Sequence, residues 1–483
     1  MHRVLSVASE AVPLIKTGGL ADVAGALPAA VAAHGVAMTT LLPAYPAALA
    51  HFRRPKEVHR WDALLGEPAR LLAGKLGDRE VLLLDAPTLF KREGGPYADA
   101  TGRDWADNWR RFAALGRAAA DIAGGAVPGH GFDLLHAHDW QSGMALAYNR
   151  FTPFEGHRVP GVMTIHNMAF QGHYDARIFR ALGLPRTAWS IDGVENHGGV
   201  GFLKAGLQAA DMITTVSPSY AQEIRLPEFG MGLEGLIASR EGRVVGILNG
   251  IDRHEWDAAA DPHLAARFST RNLTARKANK RALEAEFGLE PGDGPLFVVI
   301  SRLTWQKGMD VLPEVLDHLV GLGGRLALLG SGDAAIEAEL HSAAARHPGR
   351  IGIRIGYDEA LSHRMQGGGD AILVPSRFEP CGLTQLYGLA YGCVPVVART
   401  GGLNDTVIDA NVAALGRGVA TGVQFTGVHY PALAAAITRT IALYHDRPCW
   451  KAIQRNGMAC DFSWDASGRA YAELYARLIG EGG

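Results

Sequence analysis

Two cations lie in one short loop that directly follows an apolar run of the sequence. The run Leu296–Ile300 leads into the segment Ser301–Gly308, which contains Arg302 and Lys307. Open α/β sheets bind their ligands at the carboxyl ends of their strands. Fixed cations at such an edge would stabilise the negative charge that develops on a departing diphosphate. These two residues are therefore candidate catalytic groups for transfer from a diphosphate-linked donor, and a solvated basic loop is the alternative.

A basic residue followed by Thr-Gly-Gly occurs twice, each time after a strand and before a helix. The first copy runs from Lys16 through Gly18 and Gly19 to Asp22, and the second lies within Arg399–Val407. Glycines let a backbone approach a ligand closely, and the amide groups at a helix N-terminus point towards an anion. The pattern predicts an anion site and indicates two related halves of the chain. A tight turn repeated by chance is the alternative.

Polar residues also follow two strands in the first half of the chain. The segments 136–140 (HAHDW) and 164–167 (TIHN) both stand where an apolar run ends. This crowding favours a pocket for a sugar or a nucleotide, with Asp139 and His166 as candidate catalytic residues. The His-x-His pattern of His136 and His138 lacks a third ligand at a suitable spacing, so no metal site is predicted. A hydrogen-bonded core histidine is the alternative for His138.

A carboxylate precedes a helix in the second half. The run Ala371–Val374 leads into the segment 375–384 (PSRFEPCGLT), in which a helix is predicted to start near Gly382. Glu379 at this position can accept hydrogen bonds from sugar hydroxyls, and an interaction with the helix N-terminus is the alternative. Cys381 has no neighbouring His or Cys in the sequence and is expected to line the pocket rather than act as a nucleophile.

A glycine-rich turn at residues 330–333 (GSGD) resembles a degenerate dinucleotide-binding loop. A nicotinamide-dependent enzyme would need an acidic strand end about 20 residues later, and none is clear. A phosphate contact and a turn needed only for packing both remain open for Gly330, and no cofactor is predicted.

The elements that must position these residues alternate between short apolar runs and helical stretches. The runs are rich in Val, Ile and Leu and mostly lack polar alternation, which is typical of strands buried on both faces of a parallel sheet. Alternation with helices places the chain in the α/β class. The predicted strands are Val4–Ala8, Val36–Leu42, Val81–Leu84, Leu134–His136, Val162–Ile165, Met212–Val216, Val244–Leu248, Leu296–Ile300, Leu326–Leu329, Ile351–Ile355, Ala371–Val374 and Val394–Val397.

A polar stretch separates the two series of strands. Between Asn249 and Gly294 no strand is predicted, and the stretch contains a charged helix over Thr274–Phe287. A domain boundary near Asp252–Asp261 fits this gap. The chain is therefore predicted to form two tandem, doubly wound Rossmann-like domains with an inter-domain cleft.

Composition excludes several classes of protein. Of 483 residues, 48% are hydrophobic and 20% are charged, which is ordinary for a globular protein. The net charge of −2 gives no electrostatic case for nucleic acid or for a membrane surface, and no apolar run reaches about 18 residues. The four cysteines form no C-x-x-C pair, which favours a cytoplasmic protein. The N-terminal run, interrupted by Glu10, is expected to be a strand and not a signal peptide.

In chain order these motifs resemble the bacterial glycogen synthase and plant starch synthase family of retaining glucosyltransferases. The resemblance covers the whole chain. It rests on Lys-Thr-Gly-Gly-Leu from Lys16, the HAHDW segment, His166-Asn167, Leu-Asn-Gly-Ile-Asp at 248–252, the Arg302–Gly308 loop and Glu-Pro-Cys-Gly-Leu from Glu379. The first and last of these motifs are the most specific.

The resemblance implies the GT-B architecture and transfer of glucose from ADP-glucose to the non-reducing end of an α-1,4-glucan, without metal or cofactor. It implies an acceptor-side domain over 1–255, a nucleotide-binding domain over 256–460 and a last helix, 461–483, that crosses back to the first domain. The donor-binding residues that it implies are Lys16, Gly18, Gly19, Asp22, Asn249, Gly330, Tyr357, Cys381, Gly382, Leu383 and Thr384.

Two positions depart from the pattern of relatives. Tyr387 stands where many related glycosyltransferases carry a second Glu. The synthase branch generally lacks that Glu as well, so the departure narrows the resemblance to that branch. It leaves open which residue binds the ribose of the nucleotide. Gln141 stands where relatives often have His.

Two alternative functions remain. One is a non-catalytic glucan- or nucleotide-binding protein, which would not need a diphosphate clamp together with a sugar carboxylate. The other is a UDP-glucose transferase that acts on a small acceptor.

Overall fold

Each half of the chain builds its own, mainly parallel sheet, because most of its apolar runs form strands that are buried on both faces. The computed structural model describes residues 1–481. These residues form two units: unit 1 comprises Met1–Asn249 and the last helix from Trp464, and unit 2 is the segment Gly250–Ser463. No helix within the described part of the chain is long and apolar enough to cross a membrane.

Unit 1 contains a nine-stranded sheet and a small three-stranded sheet. Its strands are β1 (His2–Val7), β2 (Val36–Pro43), β3 (Lys56–Leu64), β4 (Glu67–Leu76), β5 (Arg79–Asp85), β6 (Leu134–His138), β7 (Gly161–Ile165), β8 (His173–Asp175), β9 (Glu195–Asn196), β10 (Gly199–Gly201), β11 (Met212–Thr215) and β12 (Val244–Gly246). Its helices are α1 (Gly19–Ala32), α2 (Pro46–Leu49), α3 (Pro87–Phe90), α4 (Asn108–Ala123), α5 (Asp139–Phe151), α6 (Phe202–Ala209), α7 (Pro218–Glu223), α8 (Pro227–Gly230) and α9 (Glu234–Ser239).

The large sheet has the order β12-β11-β7-β6-β1-β2-β5-β4-β3. Strand β4 pairs antiparallel with β3 and β5, and the other strands are parallel. The small sheet, β8-β10-β9, is antiparallel. In the large sheet the parallel strands run outward from β1 in one direction and then from β6 in the other, as in doubly wound sheets.

Unit 2 contains a six-stranded, fully parallel sheet. Its strands are β13 (Leu296–Ile300), β14 (Arg325–Gly330), β15 (Ile351–Ile355), β16 (Ala371–Val374), β17 (Val394–Ala398) and β18 (Val423–Phe425). Its helices are α10 (Arg276–Glu286), α11 (Leu312–Gly321), α12 (Ala334–Arg346), α13 (Glu359–Gly368), α14 (Thr384–Tyr391), α15 (Gly401–Thr406), α16 (Val412–Arg417), α17 (Tyr430–His445) and α18 (Arg447–Ala459). The order β15-β14-β13-β16-β17-β18 is the Rossmann order.

The last helix, α19 (Trp464–Glu481), belongs to unit 1 and packs against α1. Tyr471 and Tyr475 of α19 lie in one apolar cluster with Leu27 and Val31 of α1. Ser467 Oγ donates a hydrogen bond to the Leu248 carbonyl at 2.6 Å. The last helix therefore completes the core of a unit that begins more than 400 residues earlier in the chain.

The predicted fold class is confirmed: the chain is α/β, with two doubly wound sheets. Every predicted strand is present, and the charged helix is α10. The prediction missed the hairpin β3–β4, the short strands β8, β9 and β10, and β18. The hairpin lies at the edge of its sheet, and β3 is largely exposed, so its sequence lacks the continuous apolar run by which the others were found.

Helices α5 and α6 cross at a point where both carry glycine. A Cβ atom on Gly206 would lie 2.8 Å from the Cα atom of Gly143, and a Cβ on Gly143 would collide with the Phe202 carbonyl. The crossing therefore has no room for a side chain at either position.

We expect Gly143→Ala to lower the free energy of unfolding by about 1–3 kcal/mol, because the added methyl group overpacks this crossing. Gly235→Ala in α9 is the matched control, because a Cβ there meets no atom within 4 Å. Urea unfolding followed by tryptophan fluorescence measures both variants. Equal midpoints for the two variants would contradict the predicted close packing.

Candidate active site

Most of the predicted site residues lie where each sheet reverses its strand order. In unit 1 the adjacent strands β1 and β6 lead into the Lys16 loop and into Asp139, respectively. In unit 2 the adjacent strands β13 and β16 lead into the Arg302 loop and into the Glu379 segment. The connections on the two sides of such a reversal run to opposite faces of the sheet and leave a crevice at the carboxyl ends of the strands. Each unit thus holds its candidate residues at its own crevice.

A buried carboxylate orders the Lys16 loop in unit 1. Glu10, 3% exposed, accepts hydrogen bonds from Thr17 Oγ1 at 2.9 Å, from Tyr97 Oη at 2.7 Å and from the Thr17 amide. Lys16 Nζ lies 2.9 Å from Asp22 Oδ1, in the first turn of α1. In the sequence, Glu10 is noticeable only as the residue that ends an apolar run. Its charge at a strand end was the available signal of a role at the site.

The two Thr-Gly-Gly copies differ in what surrounds their glycines. A Cβ atom on Gly18 or Gly19 would meet no atom within 4 Å. A Cβ on Gly401 or Gly402 would collide with backbone carbonyls of the 379–381 segment, and the Gly402 amide donates to one of them at 3.1 Å. The second copy is therefore a packing contact that supports the Glu379 segment. The first copy, at the start of α1, keeps open space beside its backbone.

Three histidines lie side by side at the ends of β6 and β7. His136 and His138 are fully buried, their ring centroids are 4.1 Å apart, and His138 Nδ1 lies 3.0 Å from His166 Nε2. Burial lowers the pKa of His136 and of His166 to about 3 and that of His138 well below its usual value. All three rings are therefore neutral at physiological pH. His138 is the hydrogen-bonded core histidine given above as the alternative.

Asp139 has an unusual backbone and an unusual acidity. Its φ of 55° is in the left-handed region, and its Oδ1 accepts a hydrogen bond from the His166 amide at 2.7 Å. Burial raises the pKa of its carboxyl to about 7, although amide donors from His166 and Asn167 oppose the shift. The carboxyl thus titrates near neutrality and connects the end of β6 to the end of β7.

In unit 2, a cation and a carboxylate from the two central loops form a close pair. Lys307 Nζ lies 2.5 Å from Glu379 Oε2, which also accepts a hydrogen bond from Ser376 Oγ at 2.9 Å. The Lys307 side chain is 18% exposed and that of Glu379 is 9% exposed. Ser376 was not among the predicted site residues. The pair joins the loop after β13 to the segment after β16.

Arg377 also joins the loop after β13 to the segment after β16. Its guanidinium donates to both carboxylate oxygens of Asp310, at 2.6 and 2.8 Å, and to the Trp305 carbonyl, and it stacks 4.5 Å from the Trp305 ring. Arg302, in contrast, is exposed, and within residues 1–481 no hydrogen bond or ion pair of its guanidinium is found. Of the two predicted cations in this unit, Arg302 is the one that a ligand could bind without displacing a protein carboxylate.

Gly330 packs closely against the backbone of the loop that carries Arg302. A Cβ atom at Gly330 would collide with the Ser301 carbonyl. The Leu303 amide donates to the Ser331 carbonyl at 2.9 Å, and the Leu303 carbonyl accepts from the Asp333 amide at 2.8 Å. The packing alternative thus accounts for Gly330, and its phosphate contact stays a prediction.

Four predicted donor-binding residues lie at or just before the start of α14, namely Cys381, Gly382, Leu383 and Thr384. Gly382 has a φ of +73°, and Leu383 precedes the first helical residue, Thr384. Gln385 Nε2 donates to the carbonyls of Cys381 and Gly382 at 3.0 and 2.9 Å. The backbone before the helix is therefore held in place, so the amides of its first turn have a fixed direction, as anion binding requires.

Tyr357 and Asn249 stand apart from these clusters in different ways. Tyr357 is 73% exposed, and its hydroxyl donates to the Glu359 carboxylate. Asn249 is buried at the end of the first segment of unit 1, and its Oδ1 has no hydrogen-bond partner within the described chain. A buried amide oxygen without a partner is destabilising unless a ligand or water satisfies it.

One group of side chains in unit 2 has the composition of a metal site. Glu255, Glu359 and His363 each place one ligand atom within 4.8 Å of the others. The His363 ring is held by Asp261 at 2.8 Å and stacks on Trp256. Structural interactions account for its position.

Two family models match this chain, one in each half. Residues 3–239 match the family model described as starch synthase catalytic domain, and residues 280–452 match that of glycosyl transferases group 1. The chain is 71% identical over 480 residues to a glycogen synthase of Novosphingobium aromaticivorans, with 99% of both chains covered. The chain belongs to the glycogen synthase and starch synthase family. The resemblance stated from the motifs is confirmed.

Two further relatives agree with this membership. A glycogen synthase of Mesorhizobium japonicum is 58% identical over 477 residues, with 99% of both chains covered. The solved catalytic domain of starch synthase IV from Arabidopsis thaliana, bound to ADP and acarbose, is 30% identical with a TM-score of 0.87 and 99% coverage of both chains. The Tyr387 ring stacks on that of Trp256, with the centroids 3.7 Å apart.

The raised pKa of Asp139 predicts a pH-dependent stability. The folded protein keeps this carboxyl protonated up to about pH 7, whereas the unfolded chain releases the proton near pH 4. Stability therefore falls as the pH rises through this interval. Asp139→Asn keeps the acceptor for the His166 amide and cannot titrate, so its stability should fall less than that of the wild type between pH 5 and pH 8.

Urea midpoints at several pH values in this range measure the effect. The exposed Asp62→Asn is the matched control and should follow the wild type. If Asp139→Asn has the same pH dependence as the wild type, the carboxyl does not titrate near neutrality.

Proposed function

We propose that this chain is a glycogen synthase that transfers glucose from ADP-glucose to the non-reducing end of an α-1,4-glucan, with retention of configuration. The observation that carries the proposal is the Lys307–Glu379 pair beside Arg302 at the order reversal of a Rossmann sheet, in a member of this family. Two cations suit a diphosphate, and a carboxylate suits sugar hydroxyls. The starch synthase IV structure, solved with ADP and acarbose, supports the nucleotide and sugar classes.

The proposed site residues form one group in each unit. In unit 2, Arg302 and Lys307 stabilise the charge on the departing diphosphate. In unit 1, Lys16 and the open backbone at Gly18 and Gly19 are proposed to bind the donor. The remaining donor-binding residues in this proposal are Asp22, Asn249, Gly330, Tyr357, Cys381, Gly382, Leu383 and Thr384. No metal is needed in this scheme because the cations supply the positive charge.

The proposed reaction is a substitution on one face of the sugar. The 4-hydroxyl oxygen of the acceptor bonds to C1 of the donor glucose as the bond from C1 to the phosphate oxygen breaks, and the departing ADP takes the hydroxyl proton. Glu379 Oε2 already accepts from Lys307 and Ser376, which lowers its nucleophilicity, and the other carboxylate oxygen, Oε1, is proposed to accept hydrogen bonds from sugar hydroxyls. In unit 1, His166, which is neutral, and Asp139 are the proposed catalytic residues.

A cytoplasmic location is part of the proposal. Within the described residues the four cysteines form no disulfide, and Cys381 and Cys393 are buried. Cysteines outside disulfides are typical of proteins in reducing compartments.

The function is tested by a donor panel with glycogen as primer. ADP-glucose should give rapid release of ADP and a glucan product whose new linkages are cleaved by an α-1,4-specific hydrolase. Preference for UDP-glucose, or transfer to a small acceptor but not to glycogen, would replace this proposal with the alternative transferase. Binding of glucan without turnover of any donor would indicate a binding protein.

Arg302→Ala should lower kcat by about 10²–10³-fold, because one cation at the developing charge is lost. The exposed side chain has no protein partner in the described structure, so the folded protein should be undisturbed. Lys277→Ala, an exposed cation on α10 of the same unit, is the matched control. Initial rates at saturating donor decide the matter: a kcat within a few-fold of the control would show that Arg302 has no catalytic role.

Glu379→Gln should lower kcat strongly, and neither this variant nor the wild type should form a covalent glucosyl-enzyme. A slow fluorinated sugar nucleotide is incubated with each protein, and the intact mass is measured. An adduct of one fluorinated hexose that maps to Glu379 in the wild type would make this residue a nucleophile and overturn the single-face substitution.

A further inference from the structure

A chain of three hydrogen-bonding side chains leads from the core of unit 1 to the partly exposed ring of His166. Ser6 Oγ, in the fully buried part of β1, lies 3.1 Å from His138 Nε2. His138 Nδ1 lies 3.0 Å from His166 Nε2. Both nitrogens of His138 are therefore engaged, whereas within residues 1–481 no partner is found for His166 Nδ1.

The positions of the protons follow from what each group needs. The Ser6 hydroxyl is 0% exposed, and His138 Nε2 is its only side-chain hydrogen-bond partner in the described structure. A buried hydroxyl that donates to nothing is destabilising, so Ser6 donates and His138 Nε2 accepts. A neutral imidazole carries one proton, which in His138 must then be on Nδ1.

The same reasoning extends to the next ring. His138 Nδ1–H donates to His166 Nε2, which is therefore the unprotonated nitrogen of His166. The single proton of neutral His166 is left on Nδ1. The opposite arrangement would place a proton on His138 Nε2 and leave the buried Ser6 hydroxyl without an acceptor.

We propose that Ser6 and His138 are positioning residues that fix the tautomer of His166, so that its Nδ1–H donates a hydrogen bond to an oxygen of the transferred sugar. This inference rests on the proposed function for the identity of the sugar. The assignment of the protons depends only on this chain's own side chains. A fixed donor needs no reorientation when the substrate binds, which is the advantage of preorganised polar groups.

A parallel chain beside this one provides a control. Tyr475 Oη of α19 lies 2.8 Å from His136 Nδ1, and His136 Nε2 lies 2.6 Å from Thr164 Oγ1. His136 stacks on His138 but takes no part in the hydrogen bonds from Ser6 to His166. Tyr475→Phe removes a buried hydrogen bond to His136 and leaves the hydrogen bonds from Ser6 through His138 to His166 in place.

The decisive experiment is nitrogen NMR of the full chain labelled with ¹⁵N-histidine. The signals of His166 and His138 are assigned by their loss in His166→Gln and His138→Gln. Long-range proton–nitrogen correlations then show which ring nitrogen carries the proton. In the wild type we expect His166 to be protonated at Nδ1. A wild-type His166 protonated at Nε2 would overturn the inference.

Kinetic analysis tests the consequence for the reaction. Ser6→Ala should convert His166 to a mixture of tautomers and lower kcat by about 3- to 10-fold, as for the loss of one neutral hydrogen bond, with the KM for glucan unchanged. Ser6→Thr keeps the hydroxyl and should restore the wild-type tautomer and most of kcat. Tyr475→Phe should lower the melting temperature and leave the His166 tautomer and kcat unchanged. An equal loss of kcat in Tyr475→Phe would show that the effect of Ser6→Ala is merely structural.

The two proposals can fail separately. A wild type that turns over ADP-glucose but has His166 protonated at Nε2 overturns the proposed tautomer alone. A wild type that has the expected tautomer but turns over no sugar nucleotide overturns the proposed function and removes the sugar from the inference.

Discussion

Adjacent parallel strands whose helical connections run to opposite faces of a sheet leave a crevice at their carboxyl ends, and this constraint determines where the chain can place a site. It operates between β1 and β6 in unit 1 and between β13 and β16 in unit 2. Most strand side chains are apolar and buried, and Ser6, His136 and His138 are exceptions within β1 and β6. Most candidate site residues lie in the few residues after each strand, which are close in space because the strands are neighbours.

Ion pairing within the protein then determines which of these groups can bind a ligand without first losing a protein partner. Lys307 and Glu379 are largely removed from water, and each is stabilised by the other. Removal of either leaves an uncompensated charge, so the pair supports the fold of two loops as well as any chemistry. Lys16 pairs with Asp22 at a more exposed position, where the attraction is weaker. A diphosphate would compete with these carboxylates for the lysines, whereas Arg302 has its full hydrogen-bonding capacity available.

The sequence was sufficient for the architecture because buried parallel strands appear as continuous apolar runs. It also places the candidate site segments directly after those runs, and the roles of their residues stay predictions. It did not reveal Glu10, Ser6, Ser376 or Tyr475 as partners of site residues. Their roles depend on strand register and on long-range packing: Ser6 is opposite His136 in the β1–β6 ladder, and Tyr475 comes from the last helix. No local pattern encodes such pairs. The hairpin β3–β4 was missed for a related reason, since its exposed face interrupts the apolar signal.

The return of α19 to unit 1 has a consequence for biosynthesis. Leu27 and Val31 of α1 are covered by Tyr471, Tyr475 and neighbouring residues of the last helix. During translation the intervening segment Gly250–Ser463 must first be made, which takes roughly 10–40 s at about 5–20 residues per second. Unit 2 is continuous and can fold as it emerges, whereas the nascent unit 1 carries an uncovered apolar face throughout this interval. The first unit to be synthesised is therefore the last to be completed.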